Sequence, residues 1–154
     1  MSIELTTGLA IERRIVDHEH RELAHSVNHI EETAHLVGSL SVHDLCGVLD
    51  QLMASLRTGV LAHDDWEDAW LYPRLDLLAG SAWATRLMRF EHSQIAHLIG
   101  RLDEATRRLH EGIAPVHLEE VRGLLWSIHA VVKHHLEREE HFLIPLLDVA
   151  GADA

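Results

Sequence analysis

Residues 63–73 read HDDWEDAWLYP, and residues 135–145 read HLEREEHFLIP. In each, a histidine stands four positions before a glutamate, an apolar pair follows, and a proline closes the stretch. Residues four apart in an α-helix lie one turn above another on the same face, so each stretch aims an imidazole and a carboxylate in one direction. Upstream, Leu45, Leu49, Leu52, Leu56 and Val60 lead into the first stretch, and Val121, Leu125, Ile128 and Val132 lead into the second. That spacing of three and four is the mark of an amphipathic helix. The His and Glu therefore continue seams that ought to face a core, with Trp70 and Phe142 as the next seam positions.

Two more seams complete the chain. One runs Val16, His20, Leu23, Val27, Ile30, Ala34, Val37, and the other Met88, His92, Ile95, Ile99, Leu102, Leu109. The expected helices cover about 11–37, 42–79, 82–111 and 116–149, all within a single domain, 1–154. Ser41 with Asp44 forms a capping box before the second, and Gly38, Gly80 and Gly112 mark stops. Pro73 should kink or end the second helix, because it lacks an amide proton and crowds the carbonyl four residues back. Ala114-Pro115 breaks the chain before the fourth helix, and Pro145 and Gly151 stand near its end. No stretch alternates with period two, so the fold class is all-α. Short breaks favour antiparallel neighbours and an up-down-up-down four-helix bundle.

A shift of 72 positions superimposes the two halves. It places Glu19-His20 on Glu91-His92, Leu23 on Ile95, His25 on His97, His63 on His135, Glu67 on Glu139, Asp68 on Glu140, Pro73 on Pro145 and Asp76 on Asp148. A pseudo-twofold internal repeat is expected. Six seam positions hold polar residues where apolar ones belong: His20, His63, Glu67, His92, His135 and Glu139. A buried polar or charged group costs several kcal/mol unless it is paired or holds a metal. Imidazole and carboxylate donors without thiolate suit Fe, Mn or Zn, not Cu(I) or an iron–sulfur cluster.

Four His and two Glu exceed the needs of one tetrahedral zinc. If Glu67 and Glu139 both bridge, two ions share them and each receives two imidazoles. With an oxo or hydroxo bridge from solvent, each ion reaches about five-coordination and keeps a position for a small ligand. The set His20, His63-x-x-x-Glu67, His92, His135-x-x-x-Glu139, with Leu-Tyr-Pro73 and Leu-Ile-Pro145 after it, resembles the hemerythrin-like, or HHE cation-binding, family over about residues 12–149. The resemblance implies a hemerythrin-like four-helix bundle around a non-heme di-iron site, two Fe ions with Zn or Mn as alternatives, that meets O2, NO or peroxide. Two departures separate the chain from the oxygen-carrying hemerythrins. Ala96, followed by His97, stands where those have a second third-helix histidine, and the last acid follows its His by four positions instead of five. Both move the expectation from reversible O2 carriage toward O2 or redox sensing, NO or peroxide responses, or iron handling. A binding protein is expected ahead of an enzyme, with an oxidoreductase consuming peroxide or NO, or iron storage, as the alternative. A metal-free partner-binding bundle is the bland reading.

Composition bounds the rest. The chain has 154 residues, 13 Lys+Arg against 25 Asp+Glu, a net charge of −12 and 15 His. That charge offers no basic patch for duplex nucleic acid or an anionic membrane. The single Cys46 excludes a disulfide framework and fits a reducing compartment, so the expected location is cytoplasmic, as monomer or homodimer. No run of about 18 apolar residues suggests a spanning segment. Asp64 could add an oxygen donor beside His63, and His25, His97 or His134 an imidazole, whereas His18 lies on another face from His20. Trp66 and Trp70 are expected in the core. A ferritin-like site would need Glu-x-x-His on two helices, and Glu22-x-x-His25 and Glu32-x-x-His35 both fall on the first.

Overall fold

The computed structural model describes residues 2–112 and 116–147. Among them every regular element is helical. Helix α1 is Ser2–Leu36. Helix α2 is Val42–Ala79, containing five-residue π-helical turns at Arg57–Leu61 and Glu67–Leu71. Helix α3 is Trp83–His110. Helix α4 opens as Val116–Arg138 and runs on through a third π-turn, Glu139–Leu143. α1 packs on α2 and α4, α2 on α3, and α3 on α4.

Local chemistry sets the boundaries. Asp44 N–H donates to Ser41 Oγ at 3.1 Å while Ser41 Oγ–H reaches Asp44 Oδ2 at 2.6 Å, the expected cap of α2. Gly80 ends α2 with φ of 64°, a left-handed cap open to a residue without Cβ. α1 begins at Ser2 instead of near residue 11. An apolar seam cannot mark helical turns that carry no seam, and here the seam starts at Val16. The Ala114-Pro115 break, the end of the fourth helix beyond 147, Asp148 and Gly151 lie outside the described residues.

Pro73 does not end α2. The Tyr72 N–H bonds the Glu67 carbonyl five residues back, and the Ile144 N–H likewise bonds that of Glu139 at 2.9 Å. Each π-turn thus ends two residues before a proline, absorbing the ring without a break in the helix. The widened turn also shifts the phase of everything after it. Leu71 and Leu143, four residues past the glutamates, are buried, whereas Trp70 and Phe142 are 67% and 74% exposed. The expectation that Trp70 and Phe142 continue the core seam is corrected, since it assumed an uninterrupted α period.

α2 is the one described helix apolar and long enough to cross a membrane by length and composition, which the apolar-run count did not anticipate. Its stripe of Leu45, Leu49, Leu52, Leu56 and Val60 is buried in the bundle instead. The core comes in two parts. A large cluster holds Leu23, Val60, Ile95 and Val132, and a smaller one holds Val16, Leu71, Tyr72, Leu75, Met88, Leu143, Ile144 and Leu147. The polar seam residues fall between them on every helix: His20 between Val16 and Leu23, His63 and Glu67 between Val60 and Leu71, His92 between Met88 and Ile95, His135 and Glu139 between Val132 and Leu143.

Candidate metal centre

All six seam residues singled out by sequence are buried and meet in this layer. They form two groups, His20, His63, Glu67, Glu139 and Glu67, His92, His135, Glu139, each with its donor atoms within 4.8 Å of one another. Each group could hold one ion, and both glutamates belong to both. Glu67 turns Oε1 to His63 Nε2 at 3.1 Å and Oε2 to His92 Nε2 at 3.4 Å. Glu139 Oε2 lies 3.4 Å from His20 Nε2 and from His135 Nε2. The imidazoles pair edge to face, His20 with His63 at 5.2 Å between centroids and His92 with His135 at 4.6 Å.

The donor set fits a metal on a second ground. His20 Nε2, His63 Nε2, Glu67 Oε1 and Glu139 Oε2 are buried without a hydrogen-bond partner. Buried polar atoms are nearly always satisfied, and these four are the inward-facing donors of one group. Without a cation the layer must hold protons. Burial alone would push the His20 imidazole down, but the Glu139 and Glu67 carboxylates outweigh it and hold it at about 10. Against the same burial, Glu67, Asp64 and Asp68 bring His92 to about 9, and Glu67 and Glu19 raise His63. Glu67 stays well below its ordinary range despite burial, because His20, His63 and His92 surround it.

Sequence reasoning missed a ring of carboxylates behind the imidazoles. His63 Nδ1–H faces Glu19 Oε2 at 2.6 Å and His135 Nδ1–H faces Glu91 Oε2 at 3.0 Å. Asp68 Oδ1 and Glu140 Oε1 stand 3.2 Å from His92 Nδ1 and 3.6 Å from His20 Nδ1, near enough to act by charge, but neither of these two nitrogens makes a hydrogen bond. A carboxylate on the outer nitrogen fixes the ring and leaves Nε2 free to bind inward. The signal was present in the repeat: Glu19 with Glu91 and Asp68 with Glu140 are paired at the same offset of 72, each next to a candidate donor. Arg138 holds Glu91 with Nη2 2.5 Å from Oε1. His135 and Arg138 keep the Glu91 carboxyl below its usual range against the effect of burial.

Tyr72 was missed as well. It is fully buried, and its Oη lies 3.0 Å from Glu67 Oε2, 3.1 Å from His92 Nε2 and in hydrogen-bond contact with Glu139 Oε1. Asp64 is buried at the edge, with Oδ1 3.7 Å from His92 Nε2 and Oδ2 unpartnered, and burial raises its carboxyl to about 6. His18, His25, His97 and His134 are exposed and stand outside the cluster. Trp66 packs half-buried against the smaller apolar cluster.

The family model described as the hemerythrin HHE cation binding domain matches residues 12–112 and, again, 83–154. Comparison with curated proteins and with solved structures brought no match. With a matching model across nearly its whole length and two buried His/Glu groups in its core, the chain belongs to the hemerythrin HHE cation-binding family.

Proposed function

We propose that the protein is a non-heme di-iron protein that binds or senses O2 or a related small ligand, NO or peroxide. His20 and His63 would hold one ion, His92 and His135 the other, with Glu67 and Glu139 shared between them. The observation that carries this reading is the double use of both glutamates by two groups of donors, four of whose atoms are buried without partners. When bound, a pair of irons supplies reversible one-electron changes and coordination positions for a diatomic ligand. The chain's own part is to hold the His63 and His135 Nε2 atoms inward through Glu19 and Glu91, to set the negative charge of Asp68 and Glu140 near His92 and His20, and to exclude bulk water with two apolar clusters. An up-down-up-down course with an internal twofold belongs to the same reading. It is supported by the ring of helix contacts, the matched π-turns before Pro73 and Pro145, and the two overlapping family matches.

Metal content together with visible spectra of the purified and the reduced protein tests the proposal. Two irons per chain, with charge-transfer bands that change on reduction and return in air, are expected. Colourless protein holding one zinc, or no metal after growth in iron-supplemented medium, would refute it.

A further inference from the structure

Resting on that reading, we infer that Tyr72 is a fifth protein donor to the ion held by His92 and His135, so that the two ions have unlike ligands. Its oxygen sits among the donors of that group and not beside them. Donors at right angles around an ion with bonds of about 2.1 Å lie about 3 Å apart. The distances here are 3.0 Å from Tyr72 Oη to Glu67 Oε2, 3.1 Å from Tyr72 Oη to His92 Nε2 and 3.0 Å from His92 Nε2 to His135 Nε2, with Glu139 Oε1 also in contact with the phenol.

Proton counting points the same way. A phenol has one hydrogen to donate, yet three acceptor-capable atoms stand within its reach. Only shared protons or one cation can reconcile so many lone pairs in a dry layer. As the ion is taken up, the phenol proton leaves to solvent and the oxygen binds in its place. Contacts on the ring hold it in place: His92 stacks on it at 5.2 Å and 18°, and the Arg89 guanidinium lies 5.2 Å from its centroid. Arg89 is itself fastened to the Asp68 carbonyl at 3.0 Å.

The other group has no counterpart. At the offset of 72, Ile144 occupies the place of Tyr72, buried in the same apolar cluster. The π-turn carries both residues inward, but only one brings an oxygen.

The chain contains a single tyrosine, so a tyrosinate signal can come only from Tyr72. The test is resonance Raman and visible spectroscopy of iron-loaded, air-oxidised protein, prepared with ordinary and with ring-deuterated tyrosine, beside Y72F. The expected result is a visible phenolate-to-iron band in wild type, ring vibrations that shift on deuteration, and loss of both in Y72F with iron retained. Iron-replete wild type with no tyrosinate vibrations, or Y72F with an unchanged spectrum, overturns the inference while leaving the metal centre intact. Should Y72F fail to fold, the deuterium shift in wild type decides alone. A wild-type protein that takes up no iron removes both the centre and its fifth donor.

Discussion

Replacing Glu19 or Glu91 with Gln removes a charge behind one imidazole while preserving side-chain shape. Loss of such a partner typically weakens metal binding about 10- to 100-fold, or roughly 1.4–2.8 kcal/mol. The two positions should not be equal. Glu19 makes a short contact to His63 Nδ1, 2.6 Å, but its side chain is 38% exposed, so water can replace part of what the carboxylate supplied. Glu91 is 12% exposed and serves both His135 Nδ1 and Arg138. Its loss leaves a cation half-buried beside the imidazole, at a further cost to the fold of about 1–3 kcal/mol. E19Q is therefore expected near the lower end, about 10-fold, and E91Q near the upper, about 100-fold. The assay is anaerobic titration of metal-free protein with Fe(II) against a competing chelator, with melting curves of the metal-free variants to separate affinity from stability. Effects below about twofold in both variants, or a larger loss in E19Q than in E91Q, would refute the role given to these carboxylates.

Removing the metal should lower the melting temperature. A ligand at 100 times its dissociation constant stabilises by about 2.7 kcal/mol, or very roughly 5–10 °C for a chain of this size, read by calorimetry with and without chelator. The metal-free protein should also lose stability as pH rises. His20 and His92 have folded values near 10 and 9 against an ordinary 6.5, so their contribution is complete below 6.5 and fades as pH rises through 9 and 10. Glu67, depressed in the fold, contributes above its ordinary 4.5 and loses that contribution as pH falls below it, while Asp64, raised by burial to about 6, costs stability as pH rises from its ordinary 3.8 toward 6, so melting curves should peak near 4.5 and fall above it. Metal-loaded protein should lack the decline above 6.5, and a metal-free curve that is flat there would count against the proton-filled layer. Leu71→Ala, at a buried position, should cost about 2–5 kcal/mol in denaturant unfolding, and Trp70→Ala, at an exposed one, within about 0.5.

The helices and the buried layer of four His and two Glu were legible because both lie on one repeating stripe, where each polar interruption is conspicuous against Leu, Val and Ile. His20 and His92 stood out for the same reason among 15 histidines, most of which need no explanation beyond exposure. What periodicity could not reveal follows from its assumption of a constant turn. The π-turns at Glu67–Leu71 and Glu139–Leu143 insert one residue per half, so Trp70 and Phe142 were placed inside and Tyr72 was overlooked. The outer carboxylates were hidden for another reason. Glu19 and Glu91 each precede a histidine of their own helix but bond the imidazole of a neighbouring one, His63 and His135, a pairing that only the packed bundle creates.

Glu139 is a donor in both groups and lies in α4, whereas His20 lies in α1. Because both sets take Glu139 from α4, the first three helices together supply no complete donor set. Neither set closes before α4 arrives. Metal capture is thereby tied to completion of the bundle, and a chain stopped short of its fourth helix would be left with an exposed apolar stripe and no complete donor set.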